Sequence, residues 1–265
     1  MNNGKKRNEK RKIPLFGLMT VTLLTMGCHH DEPNVETEIQ KINEPLHDNQ
    51  NNTELANEKI DEPNDKVIIE DDPYLILVNK TNGLDPSYSP NDLVLINVLN
   101  FHNNPNADIY LRAIPAQKVE QMFQAAMDEQ GLLLLARSGY RSYVDQQRIH
   151  ENYIASHGQE QAETFSAHPG HSEHQTGLAL DITANSVGGR LEENFNQTAE
   201  GDWIAQNAHR FGFIISYPEG REEDTGYIYE PWHVRYVGVE AATIIFENNW
   251  ILEEYLDYRT SLMEY

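Results

Sequence analysis

From about residue 73 onward, apolar residues recur at helical and strand-like spacings that mark out a folded domain. Between residues 114 and 130, Val119, Met122, Phe123, Ala126 and Met127 return every three or four positions, with Pro115 in the first turn and Gly131 at the end. This predicts an amphipathic helix with those side chains inward. The unbroken run Leu132, Leu133, Leu134, Leu135, Ala136 predicts a buried strand, and residues 143–157 predict a second helix just beyond it. Residues 178–182 predict another buried strand, apolar except at Asp181. A helix over 202–210, stopped by Gly212, leads into a strand over 213–216. Residues 240–258 read as two helical segments broken at Asn248 and Asn249, with Ile244, Ile245, Ile251 and Leu252 inward. Nearer the N-terminus, residues 74–78 and 93–98 are short apolar runs of strand type, separated by the turn-rich Asn82-Gly83-Leu84-Asp85-Pro86. Trp203, Phe211 and Phe213 belong to the core by spacing, while Trp232 either packs or walls a site. These short strands and helices belong to one folded domain over residues 73–265.

Upstream the pattern disappears. Lys5, Lys6, Arg7, Lys10, Arg11 and Lys12 precede a mostly apolar, uncharged stretch over 13–26, a signal-peptide pattern too short to span a bilayer. The segment 1–27 ends before Cys28, the one cysteine in the chain. A lone cysteine after a small residue at the end of such a stretch resembles a bacterial lipobox, with Thr25 where leucine is usual. That resemblance implies cleavage before Cys28, diacylation of its sulfur, and a domain anchored at the outer face of the bacterial cell membrane; the alternatives are an ordinary secretory signal or an uncleaved anchor. Residues 28–72 are rich in Asn, Glu, Asp, Gln and Pro and read as a disordered acidic tether, with a reach on the order of 35 Å. A single cysteine leaves no disulfide framework. The net charge of −22 argues against nucleic acid as a partner. About 190 residues after the tether suffice for one domain with its own core, and a monomer is expected.

Two short stretches carry the chemistry. Ser172-Glu-His-Gln-Thr-Gly-Leu-Ala-Leu-Asp181 places an imidazole, His174, seven residues before a carboxylate set in an apolar strand. An unpaired buried carboxylate is costly, and a metal ion is one way to satisfy it. Gly177 lets the chain turn between the two. About fifty residues later, Glu230-Pro231-Trp232-His233 supplies a second imidazole and a second carboxylate. Pro231 disfavours a helix there, so a bend must bring Glu230 and His233 to the same ion. Two imidazoles, a carboxylate and a nearby base match a hydrolytic zinc site with one position left to water.

With Ser138-Gly139-Tyr140-Arg141-Ser142 and Gln146 upstream, these motifs resemble the VanY-type D-alanyl-D-alanine carboxypeptidases, zinc peptidases that share a fold with lysostaphin-type endopeptidases and the hedgehog signalling domain. The resemblance runs from about Leu93 to Gly238. It implies an α+β fold with a small antiparallel central sheet flanked by helices, with His174, Asp181 and His233 as zinc ligands and Glu230 as general base. Arg141 is implied as the cation that holds or polarises the substrate carbonyl, and Gln146 and Ser172 as lining the peptide site. The implied reaction frees D-alanine from the D-Ala-D-Ala end of peptidoglycan stem peptides. Alternatives are L,D-carboxypeptidase action on tetrapeptide stems, cutting of cross-bridges, and a non-catalytic zinc module that binds wall peptide. Of His168, His171 and His174, one ligand and two bystanders are expected. His168 and Ser216 stand where the family often has arginine, removing fixed positive charge expected near the site.

Overall fold

The computed structural model describes residues 72–101 and 108–263. The expected signal segment, Cys28 and all of the tether but Asp72 lie outside the described residues. The centre is a four-stranded sheet of β3 (Leu135–Ser138), β4 (Ala179–Thr183), β5 (Phe213–Ile215) and β6 (His233–Tyr236), in the order β3-β4-β6-β5 with every neighbour antiparallel. A separate antiparallel pair, β1 (Leu93–Leu95) and β2 (Tyr110–Arg112), leads into helix α1 (Ala113–Gln130). The remaining helices are α2 (Tyr143–His157), α3 (Gln159–Phe165), α4 (Ala199–Asn207), the single turn α5 (Glu222–Thr225), α6 (Val239–Asn248) and α7 (Leu252–Met263). This is the expected α+β arrangement, a small antiparallel sheet with helices around it.

Strand β4 is buried along its whole length, which explains why residues 178–182 read as an apolar run broken only at Asp181. Leu178, Leu180 and Ile182 join Val119, Met122 and Ala126 of α1 and Phe195, Trp203 and Phe213 in the main core. A second cluster gathers Ala241, Ala242 and Ile245 of α6, Leu252 and Tyr255 of α7, and Leu75. The break between α6 and α7 falls where expected, with Asn249 in the left-handed conformation (φ 53°).

Several expectations shift. The strand after α1 starts at Leu135 rather than Leu132, because Gly131 and Leu132 close the helix C-terminus through bonds to the Met127 and Ala126 carbonyls. Met127 is half exposed, at the edge of the apolar face rather than within it. Residues 74–78 form no strand; the carbonyls of Tyr74 and Ile76 are taken instead by the Arg235 guanidinium. The strand begun at Leu93 ends at Leu95. Helix α4 starts at Ala199, earlier than the expected Asp202, because the Thr198 hydroxyl accepts the Gly201 N–H as an N-cap, and it ends in a 3-10 turn over Ala208–Phe211. Strand β2 and helix α3 were not anticipated, since three residues or seven polar-rich ones carry too little periodicity to read.

Candidate metal centre

Strand register brings the first two ligands together. Asp181 on β4 lies directly opposite His233 on β6, and directly opposed residues project to the same face with Cβ atoms about 5 Å apart. His174 arrives from a 3-10 turn, Glu173–Thr176, that Gly177 terminates at φ 70° before β4 begins. The donor atoms of His174, Asp181 and His233 all lie within 4.8 Å of one another. Asp181 Oδ1 is 3.4 Å from His174 Nε2 and 3.1 Å from His233 Nδ1.

The far nitrogen of each ring is held from outside. His174 Nδ1 donates to the Gly139 carbonyl at 2.8 Å, which leaves Nε2 as the inward lone pair. His233 uses the other tautomer, with Nε2 donating to Glu173 Oε2 at 2.9 Å and Nδ1 facing inward. Two nitrogens, one carboxylate oxygen and open space on the cleft side fit a tetrahedral zinc site with a free position.

Electrostatics fit the same ion. Burial works against ionisation of Asp181, and the two imidazoles outweigh it, holding the carboxyl below its ordinary range. Burial also disfavours charge on His174 and lowers its pKa. For His233 burial is outweighed by hydrogen bonds to Asp181 and Glu173, and its pKa is pushed up to about 10. Without metal, a proton on Nδ1 therefore takes the place of the ion between His233 and Asp181.

The bend expected at Pro231 is a tight turn, closed by the His233 N–H donating to the Glu230 carbonyl at 3.1 Å. It brings Glu230 Oε2 to 4.0 Å from His233 Nδ1, while the Glu230 N–H is fixed on the Tyr217 carbonyl at 3.0 Å. Burial raises the Glu230 carboxyl to about 8 in the metal-free protein. The Arg141 guanidinium is aimed by Gln146 Oε1 at 2.6 Å and Ser138 Oγ at 3.2 Å, and the Arg141 backbone N–H donates to the His174 carbonyl. Gln146 also donates to the Ala167 carbonyl, so both ends of its buried amide are committed to holding the wall and the arginine. Arg141, Gln146, Ser172, Glu230 and the triad all line one cleft of about 620 Å³. Trp232 does both things left open for it, since it packs in the core and lines the cleft.

His168 and His171 stand apart from the triad. His171 Nδ1 pairs with the Asn79 carbonyl, and His168 lies half exposed beside Glu163 and the His150 ring. The Ser216 hydroxyl donates to Glu173 Oε2 at 2.6 Å rather than facing the cleft. Positive charge at that point comes instead from Arg235, fully buried, whose Nη1 is 2.9 Å from Glu173 Oε1. Glu173 and Arg235 were missed in the sequence, although each lies beside a ligand segment. The available signal was a second carboxylate next to His174 and an arginine set between Val234 and Tyr236 just after His233, both of which need partners when buried.

Residues 108–239 match the family model described as VanY, D-alanyl-D-alanine carboxypeptidase. The putative carboxypeptidase YodJ of Bacillus subtilis (strain 168) is 46% identical over 183 residues, covering 69% of this chain and 67% of that protein. Among solved structures, the LdcB LD-carboxypeptidase is similar at TM-score 0.65 and 46% identity, over 68% of this chain and 84% of that one. A vancomycin-resistance D,D-pentapeptidase VanY variant in complex with Zn(II) is similar at TM-score 0.57 and 34% identity, over 70% of this chain and 99% of that one. With the ligand geometry and these likenesses in agreement, the chain belongs to the VanY D-alanyl-D-alanine carboxypeptidase family of zinc peptidases.

Proposed function

We propose that this protein is a carboxypeptidase that releases the C-terminal D-alanine of peptidoglycan stem peptides. The observation that carries the reading is Glu230 Oε2 standing 4.0 Å from an inward-facing donor of the triad, on the wall of the same cleft as Arg141. Zinc held by His174, Asp181 and His233 supplies a Lewis acid for the scissile carbonyl and a lowered pKa for its water. Glu230 takes the proton of the attacking water at Oε2 and passes it to the departing amine. Arg141, held by Gln146 and Ser138, offsets negative charge as it develops on the carbonyl oxygen. Ser172, buried on the cleft wall, lines the peptide path. A module that only binds wall peptide needs neither an aimed arginine nor a base, which disfavours that alternative.

Between the two candidate bonds, 46% identity to LdcB against 34% to the D,D-pentapeptidase favours L,D-cleavage of tetrapeptide stems. D,D-cleavage of pentapeptide stems, the expectation from the motifs, is the second reading, supported by the VanY likeness. The basic run, the apolar stretch over 13–26 and Cys28 support export and a lipid anchor, with residues 29–72 as the leash. Mass spectrometry of defined tetra-, penta- and cross-bridged stems after digestion decides among the bonds. Free D-alanine from one of these stems is the expected product, and its absence from every digest overturns the proposal.

A further inference from the structure

The cleft is larger than the terminal residues of a peptide require, and its far end is chemically unlike the end at the triad. Gln146, Ile149, Tyr153 and His157 line it at helical spacing along α2, so it follows one face of that helix away from Arg141. From Gln146 to His157 the helix rises about 16 Å. The arginines and carboxylates of the lining, Arg137, Arg141, Asp181 and Glu230, all come from β3, the turn after it, β4 and the turn before β6. The far end is aromatic instead. Tyr153 and Phe165 meet edge to face with centroids 5.0 Å apart, and His157 packs on Phe165 at 5.7 Å. The end of α3 that carries Phe165 is tied to the facing wall by the Ile228 N–H donating to the Thr164 carbonyl at 3.2 Å. Despite this packing Tyr153 remains 39% exposed where it lines the cleft.

We infer that Tyr153, His157 and Phe165 form a sugar subsite that stacks on an uncharged, N-acetylated pyranose of the glycan from which the stem peptide hangs. The inference rests on the stem-peptidase reading above. An extended peptide advances about 3.4 Å per residue, so a stem of four or five residues ending beside Arg141 has its first residue near Tyr153 and His157. The glycan joins the stem at that end. With no arginine or carboxylate of the lining at this end, the three rings suit a neutral sugar face better than the carboxylates or ammonium group of a stem residue. His157 Nδ1 is taken by Ser156 Oγ at 2.8 Å, so Nε2 is the ring nitrogen left for a sugar hydroxyl.

The experiment compares kcat/KM of the full-length zinc protein on a free stem peptide and on the same stem carried by its N-acetylglucosaminyl-N-acetylmuramyl disaccharide. The wild type is expected to prefer the disaccharide form about tenfold, the scale of one or two aromatic stacking contacts. Tyr153→Ala should bring that ratio close to one, and Tyr153→Phe, which keeps the ring, should restore it. Equal rates for the two wild-type substrates overturn the sugar subsite and leave the peptidase reading intact. An equal loss on both substrates in Tyr153→Ala also overturns it, because the ring then serves a stem side chain or the fold. Cleavage of neither substrate overturns both readings.

Discussion

Nε2 of His233 donates to Oε2 of Glu173 across 2.9 Å, while the other nitrogen of the same ring lies 3.1 Å from Asp181. Glu173 is in turn gripped by Arg235 Nη1 and the Ser216 hydroxyl, and Arg235 reaches on to the carbonyls of Tyr74 and Ile76. A line of buried polar contacts thus runs from the metal triad to the first described turn of the domain. Burial opposes ionisation of Glu173, and Arg235, His233 and the Ser216 hydroxyl together outweigh it, lowering the carboxyl to about 2.

Replacing Glu173 with Gln keeps an acceptor for Arg235 but removes the carboxylate that sets the His233 tautomer. Zinc affinity is expected to fall about 10- to 100-fold, the usual scale for loss of such a partner. Chelator competition measures it. An affinity equal to wild type would show that the ring is oriented by packing alone, including the Tyr217 ring stacked 5.0 Å away.

Zinc binding should strengthen as pH rises. His233 has a metal-free pKa of about 10, so across neutral pH the ion must displace its proton, and affinity gains about tenfold per pH unit. Stability of the metal-free fold runs the other way. A pKa raised above the unfolded value of about 6.5 contributes stability that is complete below that value and lost as pH rises through about 10. Zinc titrations at pH 6, 7 and 8 test the first statement, and melting of chelator-treated protein between pH 7 and 10.5 tests the second.

Glu230→Gln should retain zinc and lose turnover by about 10²- to 10⁴-fold, the contribution typical of a positioned base. Metal content and D-alanine release are read on the same sample. Undiminished release would remove Glu230 from the chemistry.

Gln146→Ala should act through Arg141. With its 2.6 Å acceptor gone, the guanidinium is free to swing from the triad, and kcat/KM is expected to drop about 10- to 100-fold, as for other misplaced catalytic groups. Steady-state kinetics on a defined stem check this, with zinc content as the control. Zinc content that falls along with the rate would show a structural role for Gln146 instead.

Gly139→Ala tests the upstream motif. A Cβ there would sit 2.5 Å from the Tyr110 carbonyl oxygen and 2.7 Å from Ile109, so the segment whose own carbonyl holds His174 must move. A loss of about 1–3 kcal/mol in stability is expected, together with weaker zinc binding. Denaturant unfolding and chelator competition measure the two effects.

Much of this site is readable in one dimension because its ligands lie in short, local patterns. An aspartate inside an apolar strand, a glycine that ends the turn after His174, and Pro231 between Glu230 and His233 each demand a specific partner or bend. The long helices α1 and α2 and the break at Asn249 follow likewise from periodicity and capping, which act within a few residues.

The register of β4 against β6 and the Glu173–Arg235 pair were not readable in this way. Pairing between residues 62 apart is selected by packing of the whole core, to which no local pattern is bound. The aromatic end of the cleft is of the same kind, since Tyr153 reads as an ordinary helix residue and Phe165 carries no signal until α3 folds back against α2. Residue types and local turns therefore announced the reacting groups, whereas their orientation and the breadth of the surface around them arose from long-range packing, where burial makes each polar group seek whichever partner the fold brings near.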